Sequence, residues 1–338
     1  MSVEPLVRRV YALLSDRQFH SGTALAQQCR VSRSAIWKAI SQLRSLGCGV
    51  EAVRNRGYRA PSATPLLQVE RIRSLLPADC RTRLRGAESV WSTGSTNADL
   101  LGGATVVPAG HFDFRTAEYQ AAGRGRRTRR WFAPPGGALC LSLAWSFAAL
   151  PSDISALSLA VGVWVLRALE GYGLSGAALK WPNDIVSAGR KLGGILIELR
   201  AEGGGPALVV IGIGLNVAIG AETRQRVAAS GTEAADLSVL ATGGARGAED
   251  LDRNPLAAAV IAACIDGLVQ FEREGFRAFR AEWRAADALA GREVLISTEG
   301  SSIAGHARGI DVDGALCVQT RDGLRRFVTG EVSVRGAA

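Results

Sequence analysis

The chain has 338 residues, 47% of them hydrophobic and 21% charged, with a formal charge of +9. That composition suits a globular protein long enough for two or three domains with a sizeable core, and it excludes a disordered or collagen-like chain. The opening MSVEPLVRR lacks a signal-peptide pattern, and the apolar runs from Ala138 to Leu150 and from Ile154 to Leu166 are too short to span a bilayer, so a cytoplasmic protein without membrane association is expected.

Positive charge is concentrated at the start: residues 1–60 hold ten Lys/Arg against three Asp/Glu, which marks this end as the nucleic-acid candidate. Leu6, Val10, Leu13 and Leu14 make the apolar face of a first helix, Ser21 caps a second and Ser32 a third. The third runs from Arg33 to Leu46, places Ile36, Ile40 and Leu43 on one face and ends at Gly47, a suitable C-cap. Arg54, Asn55, Arg56, Gly57 and Tyr58 form a wing. The pattern predicts a winged helix-turn-helix over residues 1–61, with Ser32, Arg33, Ser34, Trp37, Lys38, Ser41, Arg54 and Arg56 as DNA-binding candidates. Trp37 is an unusual neighbour for that polar face.

Pro61 to Pro65 reads as a short, stiff linker. Beyond it, Ser95-Thr96-Asn97 opens a helix with capping residues. Next comes GRGRRTRRW, Gly123 to Trp131. Its glycines permit close backbone approach, its arginines offer forks for phosphate or carboxylate oxygens, and Trp131 adds an aromatic face. A strand follows (Ala138 to Phe147), then a long helix capped near Ser152 (Asp153 to Tyr172). Further strands are expected at Ala177 to Trp181, Lys191 to Leu199 and Ala207 to Val217, with hairpin turns at Ala188-Gly189 and Gly203 to Gly205. Of 40 basic Lys/Arg residues only Lys38, Lys180 and Lys191 are lysines. Two of the three therefore sit in KWPNDI (Lys180 to Ile185) and RKLGGILIE (Arg190 to Glu198), beside Asn183 and Asp184, where a compact point charge has a use. GRGRRT and GIGLNV lack the third glycine of a dinucleotide fingerprint, and no lysine has a Walker A context. The irregular mixture of strands and helices indicates an α+β sheet domain over residues 66–288, closed by helices from Pro255 to Glu274 and from Phe276 to Ala288. Short strands after Gly291, with turns at Asp313-Gly314 and Asp322-Gly323, read as an SH3-like barrel over 289–338 without chemistry of its own.

Taken together, STN (Ser95, Thr96, Asn97), AEYQAAGRGRRTRRWF (Ala117 to Phe132), KWPNDI, RKLGGILIE and GIGLN (Gly212 to Asn216), with the winged helix before and the small barrel after, resemble the bifunctional biotin-protein ligase and biotin operon repressor family. The resemblance covers essentially the whole chain. It implies that biotin and ATP give biotinyl-AMP with Mg2+ assistance, and that a lysine of a biotin carboxyl carrier protein, an acetyl-CoA carboxylase subunit, then takes the biotinyl group. It implies a biotin site of Ser95, Thr96, Asn97, Gln120, Gly123, Arg124, Arg126, Lys191, Gly194 and Gly212. It implies an adenylate site of Arg126, Arg127, Arg129, Trp131, Lys180, Asn183 and Asn216, and a catalytic set of Arg126, Lys191, Lys180, Asp184 and Asn183. Operator DNA and a homodimer in the adenylate-bound state complete the expectation. Thr128 replaces a glycine of the familiar loop and should stiffen it, and the segment from Ala221 to Leu237 lacks the tryptophan associated with adenine packing.

The cysteines Cys29, Cys48, Cys80, Cys140, Cys264 and Cys317 form no CxxC pair and read as reduced, mostly buried small hydrophobes. His20, His111 and His306 are far apart, and no protein metal site is expected.

Overall fold

The computed structural model of the chain describes residues 3–103, 107–201, 207–229, 231–240, 251–298 and 301–334. Its first helices form where the apolar spacing requires them: α1 (Val3–Leu14), α2 (Gly22–Cys29) and α3 (Arg33–Ser45). Ser21 and Ser32 accept bonds from Ala24 N and Ala35 N, satisfying amides that have no partner within α2 and α3. Val10, Leu14, Leu25, Ile36, Ile40 and Leu43 are buried together beneath them. α3 stops one residue short of the expected Leu46, and Gly47 follows at φ +90°, the left-handed conformation that terminates a helix. Strands β1 (Glu51–Val53) and β2 (Gly57–Arg59) pair antiparallel and carry Arg54, Asn55 and Arg56 at the tip of the wing.

Two short helices, α4 (Val69–Leu75) and α5 (Ala78–Arg83), lead into the large sheet. Its parts are β3 (Leu84–Thr93), α6 (Thr96–Gly102), β4 (Phe112–Gln120), β5 (Ala138–Phe147), α7 (Leu157–Gly171), β6 (Ala178–Lys180), β7 (Asp184–Ser187), β8 (Arg190–Ala201) and β9 (Ala207–Asn216). The strand order is β3-β4-β5-β9-β8-β7-β6, with β3 and β4 parallel and all other neighbours antiparallel. All ten residues of β5, next to the middle strand β9, are buried. Ala188 and Gly189, both at positive φ, make the turn between β7 and β8. The expected turn at Gly203 to Gly205 falls outside the described residues.

Three expectations for the helices need correction. A 3-10 turn at Ile154–Ala156 precedes α7, and no side chain caps either, so Ser152 is not the cap. Asp153 instead accepts a bond from Phe276 N at 2.5 Å, a partner 123 residues away. The helical run from Ile154 to Gly171 and α9 (Arg253–Glu274), which follows α8 (Ala221–Ala228), are each long and apolar enough to cross a bilayer. Both are mostly buried and pack against each other behind the sheet. The helix expected over Phe276 to Ala288 is reduced to a 3-10 turn and α10 (Arg280–Ala285). There the backbone of Leu179 pairs with Ala286 and Ala288 and draws the chain into extended contact with β6.

The C-terminal strands β10 (Glu293–Thr298), β11 (Ser301–Ile310), β12 (Leu316–Thr320), β13 (Gly323–Phe327) and β14 (Glu331–Val334) form a small antiparallel sheet in the order β13-β12-β11-β10-β14. Val294, Ile296, Leu316 and Val318 belong to the same buried core as the large sheet. The N-terminal helices are joined to that core by polar contacts. Arg253 and Glu118, both nearly inaccessible, pair at 2.7 Å; Arg253 also donates to Thr64 Oγ1 (2.7 Å) and Ala138 O (3.0 Å). Tyr11 of α1 donates to Thr64 O at 2.9 Å. Gly136 lies at φ +77° with its pro-Cβ position 1.7 Å from the Tyr11 hydroxyl, so only glycine fits under that contact.

Candidate functional site

A cavity of about 1110 Å³ opens over the ends of β4, β8 and β9, roofed by the Gly123–Trp131 loop and flanked by β6, β7 and the β14 edge. Its polar floor is built at the start of α6. Gln120 Oε1 accepts from Thr96 N (2.9 Å) and Thr96 Oγ1 (3.2 Å), which leaves the amide nitrogen as the end that can donate to a ligand. Ser142, buried in β5, donates to Thr96 Oγ1 (2.7 Å) or Asn97 Oδ1 (2.6 Å). Asn97 Nδ2 in turn donates to Glu198 Oε2 at 2.8 Å. A side chain at Gly212 would meet Asn97 Oδ1 at 2.4 Å, so the glycine is what admits Asn97 to the sheet surface. Ser95, the cap of α6, lines the same floor.

The loop is held at three points. Its ends close on each other through Trp131 N→Gly123 O (2.9 Å) and Gly125 N→Arg129 O (2.7 Å). Arg124 pairs with Glu198 at 3.1 Å. Arg129 pairs with Glu331 of β14 at 2.5 Å, and Arg126 donates at 3.4 Å to Thr329 in the connection that leads into that strand. The barrel therefore supplies part of the site, correcting the expectation that it carries no chemistry. Burial, with the neighbouring Arg127 charge, pulls Arg126 below the usual guanidinium range. Arg127 adopts left-handed φ/ψ of 52° and 46° inside the loop. The Trp131 indole packs against Gly214, whose pro-Cβ position is 2.7 Å from the ring. The side chain of Thr128 is outside the described residues.

On the facing wall Lys191 Nζ is 2.6 Å from Asp184 Oδ1, and Gly194 packs against that pair with its pro-Cβ position 3.4 Å from Nζ. Lys180, opposite Asp184 in the β6–β7 ladder, is held below the ordinary lysine range by burial, with Asp184 opposing the shift. Asn183 Nδ2 donates to Ile195 O (2.7 Å), and Asn216 Nδ2 to Ala235 O (2.9 Å) and Lys191 O (3.3 Å). Both amides thus brace the strands that carry the lysines while lining the cavity. Every candidate for the biotin, adenylate and catalytic sets except Gly123 lines this one cavity, and Gly123 hinges its roof. Ser142, Cys140, Glu198, Thr329 and Glu331 were not singled out from sequence. Glu198 closes the RKLGGILIE stretch, but the others carry no local signal. Among the described residues no group of three His, Cys, Asp or Glu could hold a metal ion.

The DNA-binding candidates form a second surface. Arg33, Ser34, Trp37 and Lys38 are exposed on α3, and Arg54 and Arg56 are exposed on the wing, where Arg56 covers the Phe19 ring at 4.0 Å. Ser32 is occupied as a cap and also lies 2.8 Å from Ser34 Oγ. Ser41 Oγ donates to Trp37 O.

Residues 110–216 match the biotin/lipoate A/B protein ligase family, residues 7–59 match a helix-turn-helix domain, and residues 290–335 match the biotin protein ligase C-terminal domain. The bifunctional ligase/repressor BirA of Escherichia coli strain K12 is 36% identical over 97% of both chains, and that of Salmonella typhimurium is 36% identical over 96% of both. A biotin protein ligase from Aquifex aeolicus, solved with biotin and ATP, superposes with a TM-score of 0.59 at 26% identity, covering 75% of this chain and 98% of that one. With this cavity, this helix-turn-helix and those relatives, the chain belongs to the biotin protein ligase family, among its bifunctional ligase/repressor members.

Proposed function

We propose that the protein is an ATP-dependent biotin–[biotin carboxyl carrier protein] ligase that also represses transcription in its adenylate-bound state. The observation that carries this reading is the convergence of the arginine loop, Lys180 and the Lys191–Asp184 pair on one cavity whose far end is the polar floor of Thr96, Asn97 and Gln120. In the first step a biotin carboxylate oxygen bonds to the α-phosphorus of ATP and pyrophosphate leaves. Lys191, aimed by its 2.6 Å contact with Asp184, takes the carboxyl oxygen. Lys180 and Arg126, Arg127 and Arg129 take the phosphate oxygens on which charge builds. Gln120, Thr96 and Asn97 hold the ring end of biotin, with Ser95, Gly123, Arg124, Gly194 and Gly212 closing around it. Trp131 packs near the adenine, with Asn183 and Asn216 bracing the wall. In the second step the carrier lysine's amine bonds to the acyl carbon, the bond to AMP oxygen breaks, and the amine proton is lost.

Asp184 is the carboxylate on the wall beside the candidate phosphate-binding lysine. With Lys191 on one oxygen, it fits Mg2+ held chiefly by the triphosphate itself, as that ion prefers. There Mg2+ would neutralise phosphate charge. We divide the chain into a winged helix (1–61), a catalytic domain (66–288) and a C-terminal domain (289–338). In this reading biotinyl-AMP favours a homodimer that grips a palindromic operator through Ser32, Arg33, Ser34, Trp37, Lys38, Ser41, Arg54 and Arg56. Sedimentation with and without the adenylate measures that preference, and equal dimer affinity would count against it.

ATP–pyrophosphate exchange with magnesium and biotin, lipoate or octanoate tests the enzymatic reading. Exchange with biotin alone is expected. Exchange with lipoate or octanoate instead would assign a different acyl substrate, and none with any acid would make the domain a sensor.

A further inference from the structure

Trp37 is 61% exposed, the most exposed aromatic in the N-terminal domain, and it sits in the middle of the outward face of α3. Arg33, Ser34, Lys38 and Ser41 surround it at helical spacing, while Ile36, Ala39, Ile40 and Leu43 hold the opposite face in the core. Of the other six tryptophans, 91, 145, 164, 181 and 283 are buried and Trp131 is half-buried in the cavity roof. An indole left in water at the centre of a cationic face forgoes the burial its area offers, so the occupant of this face must present apolar surface among negative charges. Duplex DNA has one such combination, the thymine C5-methyl in the major groove between two rows of phosphates. Trp37 is also on the second turn of α3, the part of a recognition helix that reaches base edges.

We propose that Trp37 is a specificity-determining residue that reads thymine methyl groups in the operator half-site. The inference rests on the DNA-binding reading above. Arg33 and Lys38 flank the indole to hold phosphates, and Arg54 and Arg56 on the wing do the same from the side; these contacts position the helix and carry no sequence information. The indole supplies the discrimination.

The test uses the full chain with biotin, ATP and magnesium, and double-stranded DNA enriched by it from random duplexes. Replacing single thymines of the enriched site by deoxyuridine removes only the methyl group. Binding should weaken about fourfold at each contacted position, the transfer free energy of one buried carbon. Trp37→Ala should bind the thymine and deoxyuridine duplexes equally, and Trp37→Phe should retain part of the difference; both should keep the wild-type melting temperature because the side chain is exposed. Equal binding of every deoxyuridine duplex by the wild type, or an unchanged preference in Trp37→Ala, would overturn the proposal while leaving DNA binding intact. Failure to enrich any duplex would overturn the DNA-binding reading and the inference together, and Trp37-dependent capture of a second copy of the chain without DNA would replace the duplex as occupant.

Discussion

Lys180 is half-buried near Asp184, Lys191, Arg129 and Glu331, and desolvation is the largest of these influences, so its ammonium is held below the usual lysine range although Asp184 opposes the shift. Two consequences have opposite signs. For stability, the folded state binds fewer protons than the unfolded one between the lowered pKa and about 10.4, so the cost of a charged Lys180 is present at neutral pH and relieved as pH rises through that window. In the mechanism proposed above the charge is wanted, so ATP–pyrophosphate exchange should fall on the alkaline side earlier than an ordinary lysine allows. Lys180→Arg should exchange at least tenfold more slowly, since a planar fork does not replace a point charge, yet its profile should stay flat to roughly pH 10. A wild-type profile as flat as that of the variant would remove Lys180 from the phosphate. Burial likewise pushes the Cys140 thiol on the cavity wall up to about 11, which keeps it a neutral neighbour of Trp131 and Gln120.

At the scale of elements, the Glu118–Arg253 pair joins β4, α9 and the linker in one dry junction. Glu118→Gln leaves the guanidinium uncompensated and should cost about 3–5 kcal/mol in urea unfolding, whereas Glu118→Gln with Arg253→Met should cost clearly less. A double variant as unstable as the single one would show that packing, not charge, holds the junction. Elements with strong local grammar were legible: Ser21 and Ser32 cap the helices they precede, and the apolar run of β5 is a fully buried inner strand. β3, β4 and β7 were not read. β3 breaks its alternation at Gly86-Ala87 and β4 keeps it only over Phe112 to Arg115, and β7 lies inside a motif whose charges suggest a ligand rather than a ladder. The broken helix after Phe276 was misread because its terminator is backbone pairing of Ala286 and Ala288 with Leu179, far upstream in the chain.

Across the whole molecule, the residues that grip the loop come from opposite ends of the sequence. Arg126 and Thr329 are 203 positions apart, so no spacing rule could join them, while the motif residues of the cavity floor were readable because each lies in a short run of its own. The Arg129–Glu331 pair is more than a third exposed on the arginine side, so Glu331→Gln should leave stability almost unchanged. It should raise the release rate of biotinyl-AMP by up to about fivefold in a filter-binding chase, with adenylation little altered; an unchanged release rate would separate the barrel from loop closure. The scarcity of lysine also acts at this scale. An acyl adenylate attacks amines without regard to sequence, and this chain presents it with three side-chain amines: Lys191 masked by a carboxylate, Lys180 half-buried, and Lys38 exposed on α3. By using guanidinium almost everywhere else, the protein offers an acyl adenylate few side-chain amines, and the one fully exposed lies on α3 of the helix-turn-helix, away from the cavity.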